Sequence, residues 1–160
     1  MAWRRALVAA AAALFCVAAA AQGGGERAAI LDAIRQLAAA QARQPVRIKV
    51  EHLNRDGDWA LLTGSLVTPT GADLDWRKAR HCEPELDKLL WVVLRRDAAG
   101  AWQIRHLDIC APEPPHWNLE QFGGFAWPCG LYQGLQSGEG ADLFAQCRRQ
   151  VGNSRRPERD

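Results

Sequence analysis

What this chain lacks narrows its chemistry before anything it contains. It has no Cys-x-x-Cys and no His-x-x-x-His spacing, the short ligand pairs from which zinc sites are commonly built. It has no Gly-x-Ser-x-Gly elbow and no phosphate-cradling glycine loop, and its few hydroxyl residues lack a His/Asp partner. Charge of one sign is missing too. Two of the 20 Lys and Arg residues, Arg4 and Arg5, fall in the first 21 residues with no acid beside them, leaving 18 against 18 Asp and Glu. A balanced chain without a basic stripe argues against a nucleic-acid partner. No internal repeat is present, and no apolar run reaches the ~20 residues a membrane-spanning helix needs.

The N-terminus carries an address rather than a fold. "MAWRR" is a basic head, "ALVAAAAALFCVAAAA" is an apolar stretch of 16 residues, and the small side chains at its end form an Ala-x-Ala cleavage signal before Gln22. Residues 1–21 therefore read as a signal peptide of a periplasmic or secreted protein, with no membrane span after its removal. Phe15, directly before Cys16, is too large for the small residue that lipid modification of that cysteine requires. The remaining cysteines, Cys82, Cys110, Cys129 and Cys147, are even in number, the usual mark of disulfides in an exported chain.

Residues 22–152 read as a single α+β domain and 153–160 as a flexible tail. In residues 26–42, Ala29, Ile30, Ala33, Ile34 and Leu37 recur at three- and four-residue steps, and Pro45 stops continuation, so a helix is expected. "PVRIKVEHL" alternates apolar and charged residues, "NRDG" supplies a turn, and "DWALLTGSLV" forms the partner strand. Residues 68–88 are polar and loop-like. "LLWVVLRR" and "WQIRHLDI", joined by "DAAGA", make a second hairpin, its first strand apolar on both faces. An aromatic coil rich in Pro and Gly follows, then a short helix, "ADLFAQCRRQV". The prediction is a helix packed on a four-stranded antiparallel curved sheet, with the coil and final helix appended.

The register of the second hairpin bears on the cysteines. With Arg96 opposite Trp102, opposed residue numbers sum to about 198, which sets Cys110 opposite Lys88 and near Cys82 in the returning loop. Cys82–Cys110 would then pin the loop to the sheet, stabilising it by about 3–4 kcal/mol, and Cys129–Cys147 would tie the coil to the final helix. Metal binding by His81, Cys82, His106 and Cys110 is disfavoured by this oxidation and by the adjacency of His81 and Cys82, so no metal or other cofactor is expected.

The elements "RAAILDAIRQ", "GDWALLTG" and "LLWVVLRRDAAGAWQIRHLDI" resemble small exported bacterial proteins with the cystatin-like, nuclear-transport-factor-2-like α+β fold, over residues 26–110. The resemblance implies a helix on a curved sheet and a concave pocket, and no reaction. In its ketosteroid-isomerase-like members an Asp on the sheet acts as a general base. Strict alternation along β-strand "WQIRHLDI" would set His106 and Asp108 on the face of Trp102 and Ile104, at an apolar rim where their pKa values would shift. A bulge near Arg105 would instead turn Leu107 and Ile109 inward and the polar pair outward. The aromatic residues Trp117, Phe122, Phe125, Trp127 and Tyr132 are either an exposed surface for a partner or a cover over the sheet. These readings lead to a binding or accessory protein for an unknown protein or small hydrophobic ligand. The alternative is a pocket enzyme using Asp108 and His106.

Overall fold

A computed structural model describes residues 24–154, with the side chains of 153 and 154 left out, so the expected signal peptide and most of the expected tail lie outside the described residues. Helix α1 (residues 24–42) leads into β1 (Arg47–Asp56), β2 (Trp59–Val67), β3 (Leu89–Arg96) and β4 (Trp102–Ala111), and the chain closes with α2 (Leu143–Ser154). The four strands form one antiparallel meander in the order β1-β2-β3-β4. Both expected disulfides, Cys82–Cys110 and Cys129–Cys147, are formed. Helix α2 runs to Ser154, two residues into the segment read as tail.

The molecule has three layers. On one face of the sheet, Ile30, Ile34, Ala38 and Ala42 form a fully buried ridge along α1, at strict four-residue steps. They pack on Ala60, Leu62, Leu66, Leu90, Val92 and Leu94 of the central strands. The apolar face expected of this helix is corrected at Leu37, which is 42% exposed because the small Ala38 and Ala42 carry the contact instead. Close helix-to-sheet approach needs short side chains at the contact line. Arg43 takes a left-handed φ of 55°, and the Gln44 amide donates to the Ala39 carbonyl, so the helix ends in a Schellman-type cap just before Pro45.

The other face is covered by residues 112–142 and α2. Leu61, Trp91 and Val93 of the sheet meet Leu119, Leu131, Tyr132, Leu135, Leu143 and Cys147, with Phe122, Phe125 and Trp127 packed around them. The central strands are thus buried on both sides, as their continuous apolar runs require. The aromatic stretch is largely cover: Tyr132 is fully buried and edge-on to Phe125 at 5.1 Å, and only Trp117, 46% exposed, retains a wide open surface. The cover is fastened to β1 through polar atoms. Asn54 Nδ2 donates to the Leu131 carbonyl at 3.0 Å and the Gln133 carbonyl at 2.6 Å, and the Gly130 amide donates to Asp56 Oδ2 at 2.9 Å.

Two bulges decide which side chains face which layer. In β1 the register breaks between Val50 and His52, so Glu51 is extra. Gly64 sits opposite this break, where a Cβ would lie 2.1 Å from the Lys49 carbonyl oxygen. Only glycine fits that approach. In β4 the break falls at Arg105: Leu94 pairs with Ile104, but Val93 pairs with His106. A second irregularity follows, so Ala111 pairs with Leu89 and the expected pairing of Cys110 with Lys88 is displaced by two residues. The disulfide still closes because the loop carrying Cys82 comes back over the end of β4.

Candidate functional site

The bulge at Arg105 separates the residues singled out in β4. Ile104, Leu107 and Ile109 belong to the α1 side, while His106 and Asp108 pair with Val93 and Trp91; His106 meets the coil, and Asp108, on the edge strand, lines the cleft beside the end of α1. His106 is half-buried, edge-on to Phe122 at 5.2 Å and tilted against Trp127 at 6.5 Å. Burial lowers its pKa, and the charge of Asp108 works in the opposite direction. Asp108 spends Oδ1 on the Cys110 amide at 3.0 Å. The two groups are coupled through charge, with no hydrogen bond between them, so the pair lies neither in open solvent nor in an apolar acid–base pocket.

The register places Asp108 at one end of a row that the sequence does not reveal. His52, Thr63, Trp91 and Asp108 stand opposite one another across all four strands. Thr63 is the buried polar side chain of this sheet, and Trp91 is 1% exposed. His116 descends from the cover and stacks on Trp91, ring centroids 5.5 Å apart. Pro114 and Pro115 constrain the backbone just before it, and the Trp117 amide donates to the Pro114 carbonyl at 2.9 Å. The local sequence therefore builds a rigid turn that carries an imidazole inward and an indole outward.

His52, Thr63, Trp91 and His116 line a cleft of about 270 Å³ between β1–β3 and the cover. Trp91 and His116 form one wall, Thr63 and Gly64 belong to the floor, and Glu51 and His52 come from the β1 bulge. Trp117, Gln136 and Ser137 complete the lining from the cover. Gly138 lies beneath Trp117, where a Cβ would be 3.5 Å from the ring. Two buried polar atoms here have no hydrogen-bond partner: Trp91 Nε1 and His116 Nδ1. Burial, with the nearby His52 adding to it, pushes the His116 pKa down to about 4, so this ring is neutral at neutral pH. His52, Thr63, Trp91 and His116 belong to no motif of the sequence. A histidine following two prolines and preceding a tryptophan was the one local signal for the cleft.

A wider cleft of about 700 Å³ opens between the C-terminal end of α1 and β4, beside Cys82–Cys110. It is lined by Arg43, Arg80, His81, Leu107 and Asp108, among others. Its cations are exposed, and none of its side-chain nitrogens or oxygens is buried without a partner. Between the two clefts, the smaller one alone withholds hydrogen-bonding atoms from both solvent and protein. Among the described residues, no group of three or more His, Cys, Asp or Glu side chains is arranged to hold a metal ion, and no helix is long and apolar enough to cross a membrane. Comparison with protein-family models, curated proteins and solved structures finds no match to this chain.

Proposed function

We propose that this protein is an exported binding module that holds a small polar ligand in the cleft of His52, Thr63, Trp91 and His116. One observation carries the reading: Trp91 and His116 line the same cleft, and behind its surface each keeps a buried ring nitrogen, Nε1 and Nδ1, without a hydrogen-bond partner. An unsatisfied buried polar group costs about 1–3 kcal/mol, so two in one place call for a partner that the protein itself does not supply. The two disulfides fit an oxidising compartment, in line with the signal peptide expected over residues 1–21. The resemblance to the cystatin-like, nuclear-transport-factor-2-like fold stays part of this proposal for residues 26–110. Beneath the middle of α1, Ile34 and Ala38 are fully buried against the sheet. The site we propose therefore lies on the opposite face of the sheet, and its ligand is polar rather than hydrophobic.

The enzymatic alternative has less support. His106 is wedged between Phe122 and Trp127, away from the wide cleft that Asp108 lines, and one Asp108 oxygen is already engaged. The binding reading is tested by following the Trp91 indole N–H resonance while adding a panel of neutral sugars, anionic sugars, dipeptides and nucleosides. Saturable movement of that resonance with any member supports it. No movement with the whole panel defeats it.

A further inference from the structure

Apart from the Trp91 cleft, we infer that the wider cleft beside the Cys82–Cys110 bridge binds a short peptide through its free ends, the carboxylate held by Arg43 and Arg80 and the ammonium by Asp108. The two arginines come from separate parts of the chain, the end of α1 and the loop before β3, and both line this cleft. Neither guanidinium has an ion-pair or hydrogen-bond partner among the described residues, whereas Arg35, Arg55, Arg77 and Arg96 each meet a carboxylate. A guanidinium left free in this way offers the planar fork that matches a carboxylate. Asp108 is the reciprocal group. Its Oδ1 accepts from the Cys110 amide, while Oδ2 has no partner among the described residues and is not sealed from solvent.

The backbone marks the same place. Among the described residues, Arg43 and His81 are the non-glycine residues with left-handed φ, 55° and 66°, and both line the cleft. Glycine takes that conformation freely and other residues rarely do, so the chain keeps a guanidinium and an imidazole where glycine would fit better. The cap of α1 explains the turn at Arg43 but not the residue that makes it. The Cys82–Cys110 bridge fixes the second turn, with Cys110 Sγ 3.9 Å from the His81 carbonyl oxygen.

Charge and size select the ligand. Two guanidiniums would repel a lone cation, and Asp108 would repel the second charge of a purely anionic ligand. A molecule with one carboxylate and one ammonium satisfies both signs. The last carbonyls of α1, in the turn that brings Ala40 and Gln41 into the lining, lack intrahelical partners and also favour the ammonium. The volume of about 700 Å³ falls within the ~300–1,000 Å³ of small-molecule sites and is roomy for a single amino acid. Leu107 and the bridge supply an apolar stretch of wall for the peptide's side chains.

The test is calorimetry on the disulfide-bonded protein with alanyl-leucine, its N-acetylated and C-amidated forms, succinate and putrescine. We expect alanyl-leucine to bind saturably, and every other probe to bind about tenfold more weakly or worse. Asp108→Asn keeps the acceptor for the Cys110 amide and should abolish the preference for the free amine over the acetylated form. Arg80→Gln should abolish the preference for the free acid over the amide. Arg43→Gly relieves the left-handed backbone, so it should weaken the peptide by about tenfold without lowering the unfolding temperature. The inference falls if alanyl-leucine does not bind, if succinate, putrescine or a blocked form matches it, or if its affinity ignores all three substitutions. The reading of the smaller cleft is judged separately, by the Trp91 resonance. Alanyl-leucine that moves this resonance equally in Arg80→Gln and the native protein sits in the smaller cleft, which sinks the present inference and leaves that reading standing.

Discussion

The two faces of the sheet are covered by different kinds of structure, and they differ in what they bury. Beneath α1 the layer is apolar throughout: a helix presents an even ridge, and Ile30, Ile34, Ala38 and Ala42 seat it on Leu62, Val92 and Leu94. Beneath the coil the same strands present His52, Thr63, Trp91 and His106 alongside Leu61 and Val93. An irregular cover of short 3-10 turns does not form an even ridge. It touches the sheet at separate points, among them Leu119, Leu131 and Tyr132, and leaves a cleft between them. The comparison teaches a division of labour: the regular face supplies cohesion, and the irregular face supplies hydrogen-bonding groups at a controlled depth.

The largest effect should come from breaking the regular face. Ile34→Ala removes the centre of the α1 ridge and should cost about 2–5 kcal/mol in urea unfolding, because little around it can collapse into the gap. A loss below about 1 kcal/mol would show that the helix is not the cohesive layer. Next come the two disulfides, one on each side. Cys82 and Cys110 are half-buried against the wide cleft, whereas Cys147 is fully buried in the coil-side core. Stepwise reduction followed by alkylation and mass spectrometry should label Cys82 and Cys110 first, and early labelling of Cys129 and Cys147 would reverse the comparison.

A smaller effect is expected where the cover is fastened. Gly130→Ala would place a Cβ 2.7 Å from Asp56 Oδ2, disturbing the amide–carboxylate bond there, and should cost about 1–3 kcal/mol. Because α1 packs on the opposite face of the sheet, hydrogen exchange should rise in residues 129–135 and stay unchanged in α1. At neutral pH the smallest effect is titration, which grows only as the pH falls. The folded pKa of His116 is about 4 against an ordinary 6.5, so between those values the unfolded chain binds the extra proton. Stability should therefore be complete above about pH 6.5 and decline as pH falls toward 4, with His106 contributing in the same direction. Urea midpoints across that range should flatten in His116→Gln. An unchanged slope would remove His116 as a buried neutral ring.

Much of this architecture was legible in the residues because each element carries its own period. The alternation of Val46, Ile48 and Val50, the apolar run Leu89–Leu94 and the four-residue repeat in α1 are local signals, and so are the turn residues Asp56-Gly57 and Ala99-Gly100. Even the pairing of the cysteines followed from one hairpin's register, since a two-residue error does not move a side chain to the other face. The bulges were harder. A single extra residue at Glu51 or Arg105 reverses the side chains that follow it; the apolar Leu107 and Ile109 mark the second bulge as one of two options, and nothing in the local composition marks the first.

The sequence by itself determined the elements, their order and the two covalent ties, because periodicity, turn chemistry and a short span of hairpin register are properties of neighbouring residues. Only the tertiary structure decided the site. His52 and Thr63 meet Trp91 through strand pairing, and His116 reaches Trp91 only because the coil folds back over the sheet and is held by Asn54, Asp56 and the Cys129–Cys147 bridge. The burial that leaves two nitrogens unpaired and lowers the His116 pKa is a property of that packed interface, and no stretch of chain contains it alone.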